Sequence, residues 1–250
     1  MKRDTMKKNF SKKRKLALVF VGWLCCATVA FAAPTPAEKF FQNLNSGEKQ
    51  TVVIYGTSLS AGGAWALAVK GWFDTNYPSL VTFINCSGPG QNSSWGVTNL
   101  QSKVLARHPN LVLIEFSYND AHDKFKMPVE QGSVNLAKMV EGIQKQDTNT
   151  AIILQIMNVG WDAPNGNQSL SHRPQLEKYN LNYRLYAKEH NIPLLDHYPN
   201  WLRLKESEPE IFQAYVPDGT HPNKEGSIAI TWPTVKAWLE QTQTASRAPK

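Results

Sequence analysis

Cysteine is almost absent from this 250-residue chain: there are three, and two of them, Cys25 and Cys26, lie side by side close to the N-terminus. If that stretch is cleaved, only Cys86 is left and no intrachain disulfide can form. The fold must then rest on its core. Metal-binding patterns are missing as well. There is no H-E-x-x-H, no C-x-x-C and no glycine-flanked acidic loop of the calcium type, so neither a metal nor a cofactor is expected. No dinucleotide fingerprint follows a strand. Gly56 begins neither a phosphate loop nor a G-x-S-x-G elbow, because Ser60 stands where the second glycine of the elbow would be. Beyond residue 32, no run is apolar long enough to span a membrane.

Net charge is another feature the functional part of the chain lacks. The formal charge is +7, but residues 1–15 hold eight basic residues against Asp4 alone. An uncharged apolar run from Leu16 to Ala32 follows and ends in Ala30-Phe31-Ala32. That order of basic, apolar and small-residue regions reads as a signal peptide over residues 1–32. Met6 is an alternative start, and an uncleaved anchor is the competing reading. The bulky pair Trp23-Leu24 before Cys25 argues against a lipoprotein leader. Without this segment, Lys and Arg fall from 27 to 19 and Asp and Glu from 20 to 19. The remaining chain is formally neutral, so the sequence pI of 9.2 gives no support to nucleic-acid or membrane-surface binding. The expected protein is exported, periplasmic or extracellular, with one domain over 33–250 and its core over about 51–239.

Five short runs read as strands covered on both faces: Thr51–Tyr55, Leu80–Asn85, Leu111–Phe116, Ala151–Met157 and Ile192–Asp196. Helices are expected over Ser60–Asn76, Gly96–Arg107, Val134–Gln146 and Pro174–His190, with a last one from Pro222 to about Leu239. The tail from Gln241 reads as polar and frayed. Asn158–Arg173 and Tyr198–Pro217 read as long polar loops that shape a pocket, with Trp201 and Tyr215 as possible contributors. Alternating strands and helices imply an α/β fold, a three-layer α/β/α sandwich with a five-stranded parallel sheet. Such sheets bind ligands at the carboxyl ends of their strands.

Four segments fall at those ends. Ser58, in Gly56-Thr57-Ser58-Leu59, lies between a strand and a helix, where a helix N-terminus offers free N–H groups. It can attack an acyl carbon, or Ser58 or Ser60 can be an ordinary helix cap. Asn85 to Asn92 contains Gly88 and Gly90, either of which can present a backbone N–H at close range. Cys86 reads as a small buried residue. In Ser117-Tyr118-Asn119-Asp120, the Asn119 amide is a neutral oxyanion donor or part of a turn; Asp120 is an alternative cap. Asp218-Gly219-Thr220-His221-Pro222 pairs a general base with an acid three residues earlier. The adjacent pairs Asp196-His197 and His122-Asp123 lack that spacing. Trp95, Tyr118 and Trp161 are candidate substrate-binding aromatics, with core packing as the alternative.

Taken in this order, the four segments resemble the SGNH/GDSL hydrolase superfamily, named for Ser, Gly, Asn and His in separate blocks. The resemblance runs from about Thr51 to Leu239. It implies a flavodoxin-like sandwich and ester hydrolysis through an acyl-serine on Ser58. His221 and Asp218 would complete the triad; the Ser58 N–H, the Gly90 N–H and the Asn119 side chain would form the oxyanion hole. Two residues depart from the family pattern. Thr57 replaces the Asp of the name motif, and Ser117 replaces a Gly, which is expected to reshape the site. The expected substrate is a small-molecule or polysaccharide acyl ester, a carbohydrate acetate foremost. A lysophospholipase or thioesterase and a non-catalytic carbohydrate-binding relative are the alternatives.

Overall fold

The computed structural model describes Met1 and residues 33–247. Residues 2–32, to which the export-signal reading applies, lie outside them. Ala33–Lys250 clusters as one unit. In chain order its elements begin with α1 (Pro36–Asn45), β1 (Gln50–Gly56), α2 (Ser58–Ala61), α3 (Ala64–Asn76), β2 (Val81–Asn85) and α4 (Ser93–Lys103). Then come β3 (Leu111–Glu115), α5 (Ser117–Asp120), α6 (Val129–Gln146), β4 (Ala151–Ile156), α7 (Leu176–Glu189) and β5 (Leu194–Asp196). The chain closes with α8 (Tyr198–Ser207), α9 (Pro209–Tyr215), α10 (Lys224–Gly226), a π turn over Ser227–Thr231, and α11 (Trp232–Arg247).

All strand pairs are parallel, in the order β2-β1-β3-β4-β5. This is the flavodoxin-like order, whose switch point lies between β1 and β3. The central strands are apolar at nearly every position because side chains of alternate residues enter different layers. Val52, Ile54, Leu113 and Ile153 pack with Phe41 of α1, Trp65 and Phe73 of α3, and Val235 of α11. Val53, Val112, Ile114 and Leu154 face Leu100 of α4, Met139 of α6 and Tyr183 of α7. Truncating a fully buried member such as Ile153 to Ala would cost roughly 2–5 kcal/mol.

All five expected strands are present. The expected helix from Ser60 is two helices, interrupted at Gly62-Gly63, and it begins at Ser58. Three expectations need correction. An unanticipated helix, α1, starts from a Thr35 capping box with Pro36 and Glu38. The supposed loop Tyr198–Pro217 is two helices, α8 and α9, each with proline in its first turn. Their Trp201 and Phe212 form a small separate core with Val159 and Val216. Finally, α11 continues through Arg247 where fraying was expected.

Candidate active site

The carboxyl end of β1 leads directly into the Ser58 turn. Thr57 caps α2, its Oγ1 accepting the Leu59 N–H at 3.2 Å. The same hydroxyl donates to Glu115 Oε1 at 2.5 Å, and the Thr57 N–H donates to Glu115 Oε2 at 3.1 Å. Thr57, in place of the aspartate of the family motif, is thus the partner of a wholly buried carboxyl at the end of β3. Burial pushes Glu115 up to about 8, against the Thr57 hydrogen bonds that pull it down. Its burial thus favours the protonated form well above the usual carboxylate range. Ser60 is completely buried, so access excludes it as a nucleophile, and the helix cap is Thr57 rather than either serine.

Ser58 and His221 are brought together across 163 residues: His221 Nε2 lies 2.8 Å from Ser58 Oγ. On the other side of the ring, His221 Nδ1 lies 2.6 Å from Asp218 Oδ2. Asp218 Oδ1 accepts the N–H groups of Thr220 at 2.8 Å and His221 at 2.7 Å. Burial raises the Asp218 pKa, but the hydrogen bonds from the His221 ring and these two N–H groups outweigh it and hold the carboxyl below its usual range. An ionised Asp218 only accepts. Nδ1 must then carry the ring proton, leaving the Nε2 lone pair toward the serine.

The loop is braced from behind. Gly219 has φ +84°, and a Cβ there would lie 2.4 Å from the Trp161 carbonyl oxygen, so only glycine fits. The Trp161 N–H donates to the Gly219 carbonyl at 3.0 Å, and its indole N–H to that of Val216 at 2.7 Å.

Two further segments face Ser58. Gly90 has φ +72°, the left-handed region. Neither the Gly90 N–H nor the Ser58 N–H has an acceptor among the described residues. Asn119 sits in the short helix α5, not in a turn, and one of its amide hydrogens goes to the Gln91 carbonyl at 2.7 Å. Its second hydrogen is unassigned, and Asn119 lines the same cleft as Ser58, Gly90 and His221. Asp120 is buried and accepts the Ser93 N–H at 2.7 Å, holding the start of α4; burial pushes it up to about 7.

Ser58, Pro89 and His221 form a ridge between two cavities. One, of about 320 Å³, is walled mainly by Leu59, Trp65, Met157, Pro89 and Pro222. The other, of about 710 Å³, is the more polar of the two, with walls from Asn119, Asn167, Gln168 and Thr220. Asn158–Arg173 does supply part of that second wall, as expected.

The three candidate substrate-binding aromatics line neither cavity. Tyr118 is buried, its hydroxyl 2.7 Å from Ser169 Oγ. Trp95 packs against Tyr55 and Phe116 and covers Gly88. Trp161 props the Asp218 loop, as described. Trp201 is fully buried and donates to Thr231. These rings are core and scaffold. Nor does Ser117 reshape the site, because its Oγ turns away to Asn180 Oδ1 at 2.9 Å. Asp196 pairs with Arg184 at 2.7 Å rather than with His197, which is buried and held neutral by its burial. Cys86 is buried.

Sequence reading missed one grouping: His122, Asp123 and His172 place ligand-type atoms within 4.8 Å of one another. His172 is remote in sequence, so no local motif reveals it. Both Asp123 oxygens are engaged by these imidazoles at 2.9 Å.

The GDSL-like lipase/acylhydrolase family profile matches residues 54–227. The chain belongs to that family and is an esterase of the carboxylic-ester hydrolase class. No curated protein matches it. Among solved structures, a lipase/acylhydrolase from Enterococcus faecalis is 21% identical with a TM-score of 0.63, over 77% of this chain and 96% of that one. An acetylxylan esterase from Geobacillus stearothermophilus is 18% identical with a TM-score of 0.63, over 77% and 94%. A two-domain esterase active on acetylated mannans is 21% identical with a TM-score of 0.65, over 86% of this chain and 55% of that one. At these identities the likeness is one of fold.

Proposed function

We propose that this chain is an exported serine esterase that removes a small acyl group, acetyl foremost, from a carbohydrate hydroxyl. The observation that carries this reading is the unbroken line from Asp218 through His221 to Ser58, ending on the ridge between an apolar and a polar cavity. In this reading Ser58 Oγ attacks the acyl carbon while its proton passes to His221 Nε2. The Ser58 and Gly90 N–H groups and the Asn119 amide receive the developing oxyanion. Asp218 stabilises the imidazolium. The intermediate collapses, the carbon–oxygen bond to the alcohol breaks, and His221 returns the proton to the departing oxygen. Water repeats the sequence, releasing the acid and restoring Ser58.

The acyl group fits the apolar side and the alcohol the polar side. Amide and hydroxyl groups of Asn167, Gln168 and Thr220 suit hydroxyl-rich rings. Two of the similar structures are esterases of acetylated mannan and acetylxylan, which supports the same substrate class here. The apolar cavity has room beyond a methyl group, and this favours a second reading, a longer-chain lipid esterase or thioesterase. An acetate-to-octanoate aryl ester series separates them: falling kcat/KM with length supports the first, rising kcat/KM the second. No turnover of any ester would leave a binding protein. Acetate release from a panel of acetylated glycans then tests the carbohydrate assignment.

Export rests on the basic, apolar and small-residue order of residues 1–32. The N-terminus of protein recovered from its native host is expected at about Ala33. An intact Met1 or Met6 would argue for an anchored form.

A further inference from the structure

The polar cleft carries a feature that neutral-ester hydrolysis does not require. Arg173 lines it, yet only 7% of this residue is exposed. Its Nε donates to the Tyr118 carbonyl at 2.9 Å, and Nη1 to the carbonyl and hydroxyl of Ser169 at 3.1 and 2.8 Å. The guanidinium lies over the Tyr118 ring, 4.1 Å from its centroid. Nη2 has no hydrogen-bond partner among the described residues, and none of their carboxylates lies within 4.0 Å of the group. Burying a guanidinium without an anion is unfavourable. Asp123 acts on Arg173 only through space and makes no ion pair with it, its two oxygens each being held by an imidazole, of His122 and of His172.

A second cation lines the same wall. Lys124 is exposed, rests over the Phe125 ring at 4.8 Å, and forms no ion pair with a described residue. His122 and His172 complete this edge of the cleft. The neighbouring carboxylates are Asp123, bound as described, and Asp218, committed to His221. One side of the ester site is thus an electropositive wall, built around a buried cation whose fixed position is already set by three hydrogen bonds. Such a wall suits an oxyanion held at a set distance from Ser58.

We propose that this wall is an anion subsite for the alcohol portion of the substrate, so that the preferred ester is borne by an acidic saccharide. Arg173 and Lys124 would bind a carboxylate or phosphate oxyanion while the acylated hydroxyl reaches Ser58. This rests on the esterase reading and narrows it from carbohydrates in general to anionic ones. A free amine or a neutral ring would gain nothing from the wall.

The test compares kcat/KM of the full chain for three probes: peracetylated methyl glucoside, the matching acetylated methyl glucuronoside, and acetylated methyl glucoside 6-phosphate. An acidic probe is expected to be preferred over the neutral one by roughly tenfold or more at low salt, with the preference shrinking as ionic strength rises. The two acidic arms identify whether the oxyanion is a carboxylate or a phosphate. Lys124→Gln, a surface change, should lower the acidic-to-neutral ratio severalfold, and Arg173→Gln should lower it further if the variant folds. Equal kcat/KM on acidic and neutral probes, or a salt-independent ratio, overturns the subsite and leaves the esterase intact. Failure to turn over any of the three, or any aryl acetate, defeats the esterase reading instead.

Discussion

The two sides of Ser58 are built from opposite materials. Toward α2 and the π turn, the wall consists of Leu59, Trp65, Met157 and two prolines. Toward the Asn158–Arg173 loop it consists of amides, hydroxyls, imidazoles and two cations. The apolar side comes from elements of the core itself, so its shape is fixed by the same packing that holds the sheet. The polar side comes from a loop pinned by Gly166, Asn167 and Trp161 to the Asp218 segment. On the proposed reading, a substrate that spans the ridge is oriented before any chemistry begins, with acyl and alcohol ends sorted by polarity. On that reading, specificity for the alcohol is free to change by loop substitution, while acyl size is tied to the core.

The largest effect is expected at the ridge itself. Ser58→Ala is expected to lower kcat/KM for aryl acetates by about 10⁴-fold or more, measured against residual background hydrolysis. Retained turnover would move the chemistry elsewhere.

The next largest effect concerns Asn119, at the border of the polar side. Asn119→Ala is expected to lower kcat by roughly 10²–10³-fold with little change in KM, because the amide hydrogen matters mainly in the transition state. Full kcat with reduced thermal stability would make the amide only a brace for Gln91.

Beneath the ridge lies Glu115. Its pKa rises from the ordinary carboxylate value to about 8 on folding. Between those values the unfolded chain has lost this proton while the folded chain keeps it, so stability falls as pH rises through the window. Glu115→Gln should flatten that decline by roughly 3–5 kcal/mol between pH 4.5 and 8, as read by urea unfolding at a series of pH values. Asp120, raised to about 7 by burial, contributes a decline of the same sign that the substitution leaves in place. An unchanged pH profile would show that Glu115 is ionised in the folded protein.

The smallest effect sharpens the apolar side. Gly62 lines it, and a Cβ there would meet only the Ser58 carbonyl oxygen, at 3.6 Å. Gly62→Val is expected to shift the butyrate-to-acetate ratio of kcat/KM about tenfold toward acetate. No shift would place the acyl chain on the polar side.

How far the sequence disclosed this arrangement depended on the kind of signal. The sheet was readable because its strands are buried on both faces, leaving continuous apolar runs such as Leu111–Phe116 and Ala151–Met157. Ser58, Asn119 and the Asp218–His221 segment were readable because they sit at strand ends in short, chemically coherent blocks. Helices α8 and α9 were hidden by charged residues and prolines that suggest loop, although Pro199 and Pro209 occupy first-turn positions where proline is favoured. The α1 capping box was legible in Thr35-Pro36-Ala37-Glu38 but lay next to the expected cleavage point. Side-chain direction was beyond reach: nothing in the sequence says that Trp95, Tyr118 and Trp161 turn into the scaffold. Nor does any local pattern mark Arg173, whose burial without an ion pair to any described carboxylate is visible only in the structure.

The most direct measurement of the central claim is peptide mapping after treatment with a fluorophosphonate, which reacts with a serine activated by a neighbouring base. One adduct is expected, on Ser58, formed rapidly in the wild-type chain, absent in Ser58→Ala and strongly slowed in His221→Ala. An adduct on Ser87 or another serine, or labelling of Ser58 at the same rate without His221, would contradict it.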